Sequence, residues 1–304
     1  MGYPYKISVI IPVYGVEKFI ERCARSLFEQ TLDDIEFIFV DDCTQDNSMS
    51  ILNDLLAQYP QRNDQVKILK HEHNKGLPQA RKTGVLVASG EYIAHCDSDD
   101  WVDINIYQKM YETAIDDNAD IVCCDYYTVD GQSKKLVHNN ISSELLNGPV
   151  WNKLVRRALY SKHDIIYPTA NKTEDGALMV QLSYYANKIC SISKPFYYYY
   201  QNPDSICHVM SEEAILKRLQ DEVQNTELRI LFLEKHKVRV KYEEEIIKWK
   251  RSARSNLKEL LHRREYYELW KNTYPEINRQ FLMCKSVSFK QKVKFLAILL
   301  RLLR

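Results

Sequence analysis

The 304-residue chain lacks several things that would narrow its chemistry quickly. Its eight cysteines form no CxxC pair, and most sit in apolar stretches. That excludes a disulfide framework or zinc site and fits buried thiols in a reducing compartment. No stretch of 18 uncharged apolar residues occurs, so the sequence predicts no membrane span. No charged region precedes a long apolar run at the start, and Lys6 stands where a myristoylation signal needs Ser or Thr, so neither a secretion signal nor a lipid anchor is expected. The sequons at Asn140 and Asn171 are then chance matches. No GxGxxG follows the first apolar run, and Pro12-Val13-Tyr14-Gly15 is poor in glycine. This argues against a nicotinamide-dependent enzyme and against the phosphate loop that a nucleotidyltransferase usually needs. There is no internal repeat and no low-complexity linker.

What is present points to a globular protein. The chain is 45% hydrophobic and 27% charged, with a net charge of +1. That balance hides an asymmetry. Lys235 to Arg304 carry 19 basic and 7 acidic residues, a net of +12; residues 1 to 234 carry a net of −11. A basic tail on an acidic body suits an anionic surface, either membrane lipid or nucleic acid.

Apolar runs at Lys6–Val13, Ile35–Val40, Val66–Leu69, Glu91–Cys96 and Asp120–Tyr126 read as strands. They alternate with helical patterns over Glu17–Gln30, Asn47–Tyr59, Leu77–Ala88 and Ile104–Ala114. Such alternation predicts βαβ units and a mostly parallel sheet, in which ligands bind beyond the carboxyl ends of the strands. Beyond Tyr126 the pattern changes. Thr128–Asn147 reads as a polar loop, Val150–His163 and Asp175–Ala186 as helices, and Ile189–Tyr200 as a strand. Helices follow from Ser211, with a turn near Pro275.

The polar clusters fall at strand ends. Asp97-Ser98-Asp99-Asp100 follows the strand EYIAHC. Two carboxylates one residue apart can share a hard divalent cation that keeps open positions for phosphate oxygens. Taken alone, the same residues read first as a solvated acidic loop capping the next helix, since such triplets are common. Asp41-Asp42 can accept from a ribose hydroxyl or a base amide, or can cap a helix. In Asn74-Lys75-Gly76-Leu77-Pro78-Gln79-Ala80-Arg81, Gly76 permits an unusual turn, and Arg81 can face a phosphate or simply lie on the surface. Glu174-Asp175 before an apolar helix can take a proton from a hydroxyl, or can serve as dipole-favoured capping acids. His71-Glu72-His73 is a poor metal site, because three consecutive residues at a strand end cannot all face one ion.

The stretch KISVIIPVYGVEKFIERCARSLFEQTLDDIEFIFVDDCTQDNS resembles the N-terminus of inverting family 2 glycosyltransferases. HNKGLPQARKTGVLVASGEYIAHCDSDDW and KTEDGALM are similar to that family's nucleotide, metal and acceptor-side blocks, in the same order. The resemblance spans about residues 6 to 206. It implies an α/β fold of the GT-A type: a Rossmann-like, mostly parallel sheet flanked by helices, as a domain over residues 1–206, with a basic helical C-terminal extension over 207–304. It implies a nucleotide-sugar site lined by Pro12, Tyr14, Glu17, Asn74, Gly76, Arg81, Asp97 and Ser98, with Asp42 on the uracil or ribose side. Asp97 and Asp99 would hold Mn²⁺ or Mg²⁺, and Asp175, with Glu174 beside it, would be the general base. Lys153 in Trp151-Asn152-Lys153-Leu154 matches a family block without an obvious role. Two departures stand out: Gly15 where the family usually has Asn, and Gln201-Asn202-Pro203-Asp204-Ser205 where it often has an arginine for the diphosphate.

The expected activity is transfer of a sugar from a nucleotide diphosphate, UDP being the first choice, to a hydroxyl of a saccharide or lipid-linked acceptor. The resemblance places this in surface polysaccharide or glycolipid assembly, on the cytoplasmic side. Other readings are a nucleotidyltransferase-like enzyme or a non-catalytic membrane- or nucleic-acid-binding protein; with the family resemblance, nucleic acid drops out as a partner. Residues 285–304 carry six basic residues and no acid on an amphipathic pattern. They suit an anionic membrane interface, docking on the domain, or a homodimer contact.

Overall fold

The computed structural model describes residues 2–131, 133–139, 145–202, 210–285 and 287–301. The chain divides into two compact units. One comprises residues 1–169 and 178–205, the other residues 170–177 and 206–304. The short segment 170–177, which sequence places with the first domain, clusters with the second.

The first unit is built on one sheet. Its strands are β1 (Tyr5–Val13), β2 (Ile35–Asp41), β3 (Val66–Lys70), β4 (Gly90–His95), β5 (Trp101–Val102), β6 (Ile121–Asp130), β7 (Ser133–Val137), β8 (Lys153–Arg156) and β9 (Ile189–Tyr200). The order is β3-β2-β1-β4-β8-β6-β9-β5, with β7 paired to β6. β1, β2, β3 and β4 run parallel; β8 is antiparallel to both β4 and β6, and β6 runs parallel to β9. The sheet is therefore parallel in its first half and mixed in its second.

Helices α1 (Ile20–Phe28), α2 (Ser48–Leu56), α3 (Leu77–Val87), α4 (Ile106–Asp116), α5 (Ala158–Ser161) and α6 (Glu174–Tyr185) alternate with the strands. The β1 side chains split by strand periodicity. Ile7, Val9 and Ile11 join Ile20, Cys23 and Leu27 of α1 on one face, while Ile10 joins Ala80 and Val85 of α3 on the other. Both faces of the central strands are thus covered, which is why they read as continuous apolar runs. Gly84 lets α3 lie against β1: a Cβ there would meet Ile10 Cγ2 at 2.4 Å.

Two elements differ from the sequence reading. Within Thr128–Asn147, the expected loop, β6 continues to Asp130 and turns through Gly131 (φ 53°) into β7. Alternation was hidden there because both strands of this hairpin carry polar side chains on exposed faces. Val150–His163, expected as a helix, contains the strand β8 and only the four-residue α5. A four-residue buried strand is too short to show a period.

The second unit is helical: α7 (Glu212–Lys235), α8 (Glu243–Ser255), α9 (Arg264–Asn272), α10 (Ile277–Met283) and α11 (Phe289–Leu299). Its core joins Ile215 and Leu219 of α7 to Trp270, Phe281 and Phe295. No helix among the described residues is long and apolar enough to cross a membrane.

Candidate active site

Because β1, β2, β3 and β4 run parallel, the loops after β1, β2 and β4 and the turn before α3 emerge at one edge of the sheet. Pro12 is buried in β1, and Tyr14 just beyond it is 51% exposed. The following loop is tied to the one after β2. Gly15 N donates to Thr44 Oγ1 at 2.8 Å, Val16 N to Ser48 Oγ at 3.1 Å and Glu17 N to Asp46 Oδ2 at 2.9 Å. The Glu17 carboxylate answers by accepting from Asn47 N at 3.0 Å. Burial pushes the Asp46 carboxyl up, but hydrogen bonds from Ser48, Glu17 N and Thr44 outweigh it and hold it below the ordinary aspartate value. Gly15 sits at φ 68°, a conformation that glycine and asparagine share. The departure from the family's Asn therefore leaves the backbone path unchanged.

Asp42 is buried and fully engaged. It receives His71 Nδ1 at 2.6 Å, Lys75 N at 2.8 Å and Gly76 N at 2.8 Å. It caps no helix; it organises the turn that leads into α3. His71 spans from Asp42 to Thr83 Oγ1, 2.9 Å from its Nε2, and so is a structural bridge and not a metal ligand. Asn74 Oδ1 also accepts Gly76 N, at 3.0 Å. Gly76 takes φ 86°, ψ 159°, a region open only to glycine at low cost.

Arg81 is buried on α3 and places Nη2 2.7 Å from Asp97 Oδ1. Ser98 is buried. Burial, followed by the charge of Asp97, raises the Asp99 carboxyl to about 6. Asp100 is fully buried and pushed well above the aspartate range, first by burial and then by its acidic neighbours. Its carboxyl accepts Tyr197 OH at 2.7 Å and Tyr200 N at 2.7 Å, and Asp97 N donates to the Tyr197 hydroxyl at 3.1 Å. The loop is thus pinned to β9. Arg22 of α1 donates to Asp99 O at 2.8 Å, and its guanidinium lies 3.9 Å over the Trp101 ring and 5.0 Å from the Tyr200 ring.

These residues fit a hard divalent cation. Burial first, and the Asp97 charge second, disfavour the ionised Asp99 carboxylate, a penalty that a cation would relieve. Among the described residues no three His, Cys, Asp or Glu side chains gather as a complete cage. A two-carboxylate oxygen set leaves coordination positions for diphosphate oxygens and water, as Mg²⁺ and Mn²⁺ favour.

Glu174 and Asp175 open α6, whose first four residues belong to the second unit and whose remainder belongs to the first; Glu174 is buried and Asp175 half-buried. Thr173 just before them takes φ 62°, unfavourable for a β-branched residue by about 1–3 kcal/mol. α7 holds this turn. Arg229 donates to Thr173 O at 3.1 Å and Thr173 Oγ1 at 2.7 Å, and Asn225 Nδ2 donates to Ala170 O at 2.9 Å and Lys172 O at 2.8 Å. Burial lowers Arg229 to about 10; Glu222, Tyr274 and Glu174 counter it.

The first unit therefore gathers Pro12, Tyr14, Glu17, Asp42, Asn74, Gly76, Arg81, Asp97, Ser98 and Asp99 on the loops of one sheet edge and the start of α3. Glu174 and Asp175 stand on the other unit. Of the segment after β9, Gln201 and Asn202 are described, Asn202 Nδ2 lying 3.4 Å from Asp99 Oδ2; Pro203 to Ser205 lie outside the described residues. Sequence reasoning missed Arg22, Asp46, Asn225 and Arg229. Arg22 and Arg229 look like ordinary helix-surface cations in a linear reading. Asp46 was legible as a capping residue before α2, since it accepts Ser48 N at 3.1 Å. Lys153 is buried, its Nζ donating to Pro149 O at 2.5 Å and Asn152 Oδ1 at 2.8 Å, so it anchors its own segment.

The model of the family described as "Glycosyl transferase family 2" matches residues 8–174, more than half the chain and through every strand-end loop above. The chain belongs to glycosyl transferase family 2. Among the relatives of this glycosyltransferase is the uncharacterized glycosyltransferase EpsJ of Bacillus subtilis, 31% identical over 237 residues, or 72% of this chain and 67% of that protein. Another is the poly(ribitol-phosphate) β-N-acetylglucosaminyltransferase TarS of Staphylococcus aureus, 27% identical over 257 residues. That match spans 76% of this chain and 44% of TarS. The solved structure of S. aureus TarS residues 1–349 with UDP-GlcNAc superposes with TM-score 0.60 at 22% identity, covering 83% of this chain and 81% of that one. The mannosyltransferase PcManGT of Pyrobaculum calidifontis, solved with GDP-Man and Mn²⁺, superposes with TM-score 0.59 at 13% identity, covering 98% and 87%. These two likenesses establish the GT-A fold.

Proposed function

We propose that this glycosyltransferase moves a hexose from a UDP-sugar to an acceptor hydroxyl with inversion at the anomeric carbon. The observation that carries the reading is the paired carboxylates Asp97 and Asp99 at the end of β4, beside Arg81 and Arg22, on the sheet edge that also presents Tyr14 and the Asp42-organised turn. The nucleotide lies against Pro12, Tyr14 and Glu17, with Asn74, Gly76, Arg81 and Ser98 completing its side. Asp42 acts by shaping the turn on the base or ribose side, since its oxygens are already taken by His71, Lys75 and Gly76.

Asp97 and Asp99 are the residues that would hold Mn²⁺ or Mg²⁺; when bound, such an ion neutralises charge developing on the leaving diphosphate. Arg81 keeps Asp97 in one orientation, and Tyr197, through Asp100, keeps the loop in register. Arg22 supplies a cation at the loop in place of the arginine absent after β9. Asp175 removes the acceptor proton as the hydroxyl oxygen attacks, and Glu174 at the start of α6 supports it. UDP-GlcNAc bound to TarS and Mn²⁺ in PcManGT support the donor class and the ion. The poly(ribitol-phosphate) acceptor named for TarS supports surface-polymer or lipid-linked saccharide assembly as the setting, at the inner face of a membrane.

The test is UDP release from a panel of UDP-sugars with Mn²⁺ and candidate acceptors, with the product's anomeric configuration read by NMR. Asp175→Asn is expected to lower transfer by about 10²- to 10⁴-fold while leaving UDP binding intact. Asp99→Asn is expected to remove both. Retained configuration in the product would exclude the single-displacement mechanism.

A further inference from the structure

The C-terminal helix α11 has two apolar faces, and the fold uses one of them. Phe295 is buried, its ring 4.7 Å from Phe281 and 5.6 Å from Trp270, and Ile298 and Leu299 pack beside it. Tyr267 OH donates to Leu299 O at 2.6 Å. A capping box between Ser288 and Gln291 fixes where the helix starts. Docking therefore accounts for one stripe only.

A second stripe remains outward. Phe289 is 82% exposed, Val293 49%, Leu296 40%, and Leu300, which caps the helix, 57%. Their spacings of four, three and four place them within about 60° of one another on a helix. Lys290 and Lys294 lie to one side of the stripe and Lys292 to the other, and Lys285 precedes the helix; Arg301, beyond the cap, lies instead over the Tyr267 ring at 4.6 Å on the docked side. No acidic residue occurs from Lys285 to Arg304.

We propose that this outward face of α11 lies in the surface of an anionic lipid bilayer, with Phe289, Val293, Leu296 and Leu300 entering the headgroup–acyl boundary and the flanking lysines reaching lipid phosphates. The charge pattern selects this occupant. In a two-fold contact between copies of the chain, the same stripe would face itself and set lysine beside lysine with no acid to offset them. Against an anionic bilayer each lysine meets opposite charge, and the apolar side chains leave water. This assignment is independent of the catalytic reading, because the stripe holds no site residue.

The experiment is co-sedimentation of the full chain with vesicles of phosphatidylcholine alone and of phosphatidylcholine with phosphatidylglycerol, at low and high salt, with size-exclusion chromatography in parallel. Phe289 and Leu296 are exposed, so Phe289→Ser with Leu296→Ser keeps the fold, checked by circular dichroism. The wild type is expected to bind the anionic vesicles and to release in high salt. The double substitution is expected to lower the partition coefficient at least about tenfold. Lys290→Gln with Lys294→Gln is expected to abolish the preference for anionic over neutral vesicles. No sedimentation with anionic vesicles at low salt overturns the proposal. So does a dimer, formed without lipid, that the Phe289/Leu296 substitutions dissociate.

Discussion

Tyr197→Phe removes one oxygen from the centre of the Asp97–Asp100 loop and leaves the packing in place. The ring stacks on Trp151 at 4.4 Å and 19°, and phenylalanine can keep that contact. What goes is the hydroxyl that donates to Asp100 Oδ2 and accepts Asp97 N. Tyr197 and Asp100 are fully buried, so water is poorly placed to replace the hydroxyl. Leaving a buried donor or acceptor unsatisfied costs about 1–3 kcal/mol, which puts the two losses together at about 2–6 kcal/mol of folding stability, towards the lower end because Asp97 N is only partly buried. Asp100 retains Tyr200 N on its other oxygen, so the loop loosens and does not detach. Asp97 and Asp99 then lose their fixed geometry, and Mn²⁺-dependent UDP binding should weaken by about 10- to 100-fold. Urea unfolding and calorimetric titration of UDP with Mn²⁺ measure the two effects. A variant within about 0.5 kcal/mol of wild type, with unchanged UDP affinity, would refute the role assigned to this hydroxyl.

Arg22→Ala should raise KM for the UDP-sugar more than it lowers kcat, since the guanidinium anchors Asp99 O over Trp101; steady-state kinetics with saturating acceptor decides this. Arg229→Met frees the Thr173 turn, and transfer should fall by about 10²-fold while Mn²⁺-dependent UDP binding stays within about twofold; kinetics and titration together read the two effects separately. Glu36 is buried beneath Ser8, Lys67 and Ser89; burial pushes its carboxyl up, but their hydrogen bonds prevail and hold it below the ordinary glutamate value. A depressed folded-state value contributes stability above the unfolded glutamate range, lost as pH falls through the folded value. Glu36→Gln should therefore unfold at lower urea than wild type at pH 7, and the gap should narrow as pH drops below about 4.5.

The parallel half of the sheet was legible because its strands are buried on both faces and its helices carry one apolar stripe each. Ile7 to Val13 and Ile35 to Asp41 announce themselves as apolar runs, and each ends at a polar group that the topology brings to one edge. In the mixed half, β9 and most of β6 were legible, but β8 is four residues long and the five residues of β7 are almost all exposed, so neither shows a period. The candidate site divides the same way. Asp97, Asp99 and Asp42 stand directly after strands, where position alone implies a role. Arg22 and Arg229 matter through contacts 77 and 56 residues away in sequence, which no local period encodes. Asp42 shows a subtler limit: sequence marked it as important, but only the structure shows its oxygens spent on His71, Lys75 and Gly76. α11 was ambiguous between docking and an outside surface because it carries a stripe for each.

The most direct test of the account is the melting temperature of wild type and Asp99→Asn with UDP, each with and without Mn²⁺. A ligand at about 100 times its Kd stabilises the folded state by about 2.7 kcal/mol. A clear rise is expected for wild type only when UDP and Mn²⁺ are both present, and none for Asp99→Asn. A rise of equal size without metal, or an undiminished rise in Asp99→Asn, would contradict the assignment of Asp97 and Asp99 as the cation-binding pair of a nucleotide-sugar site.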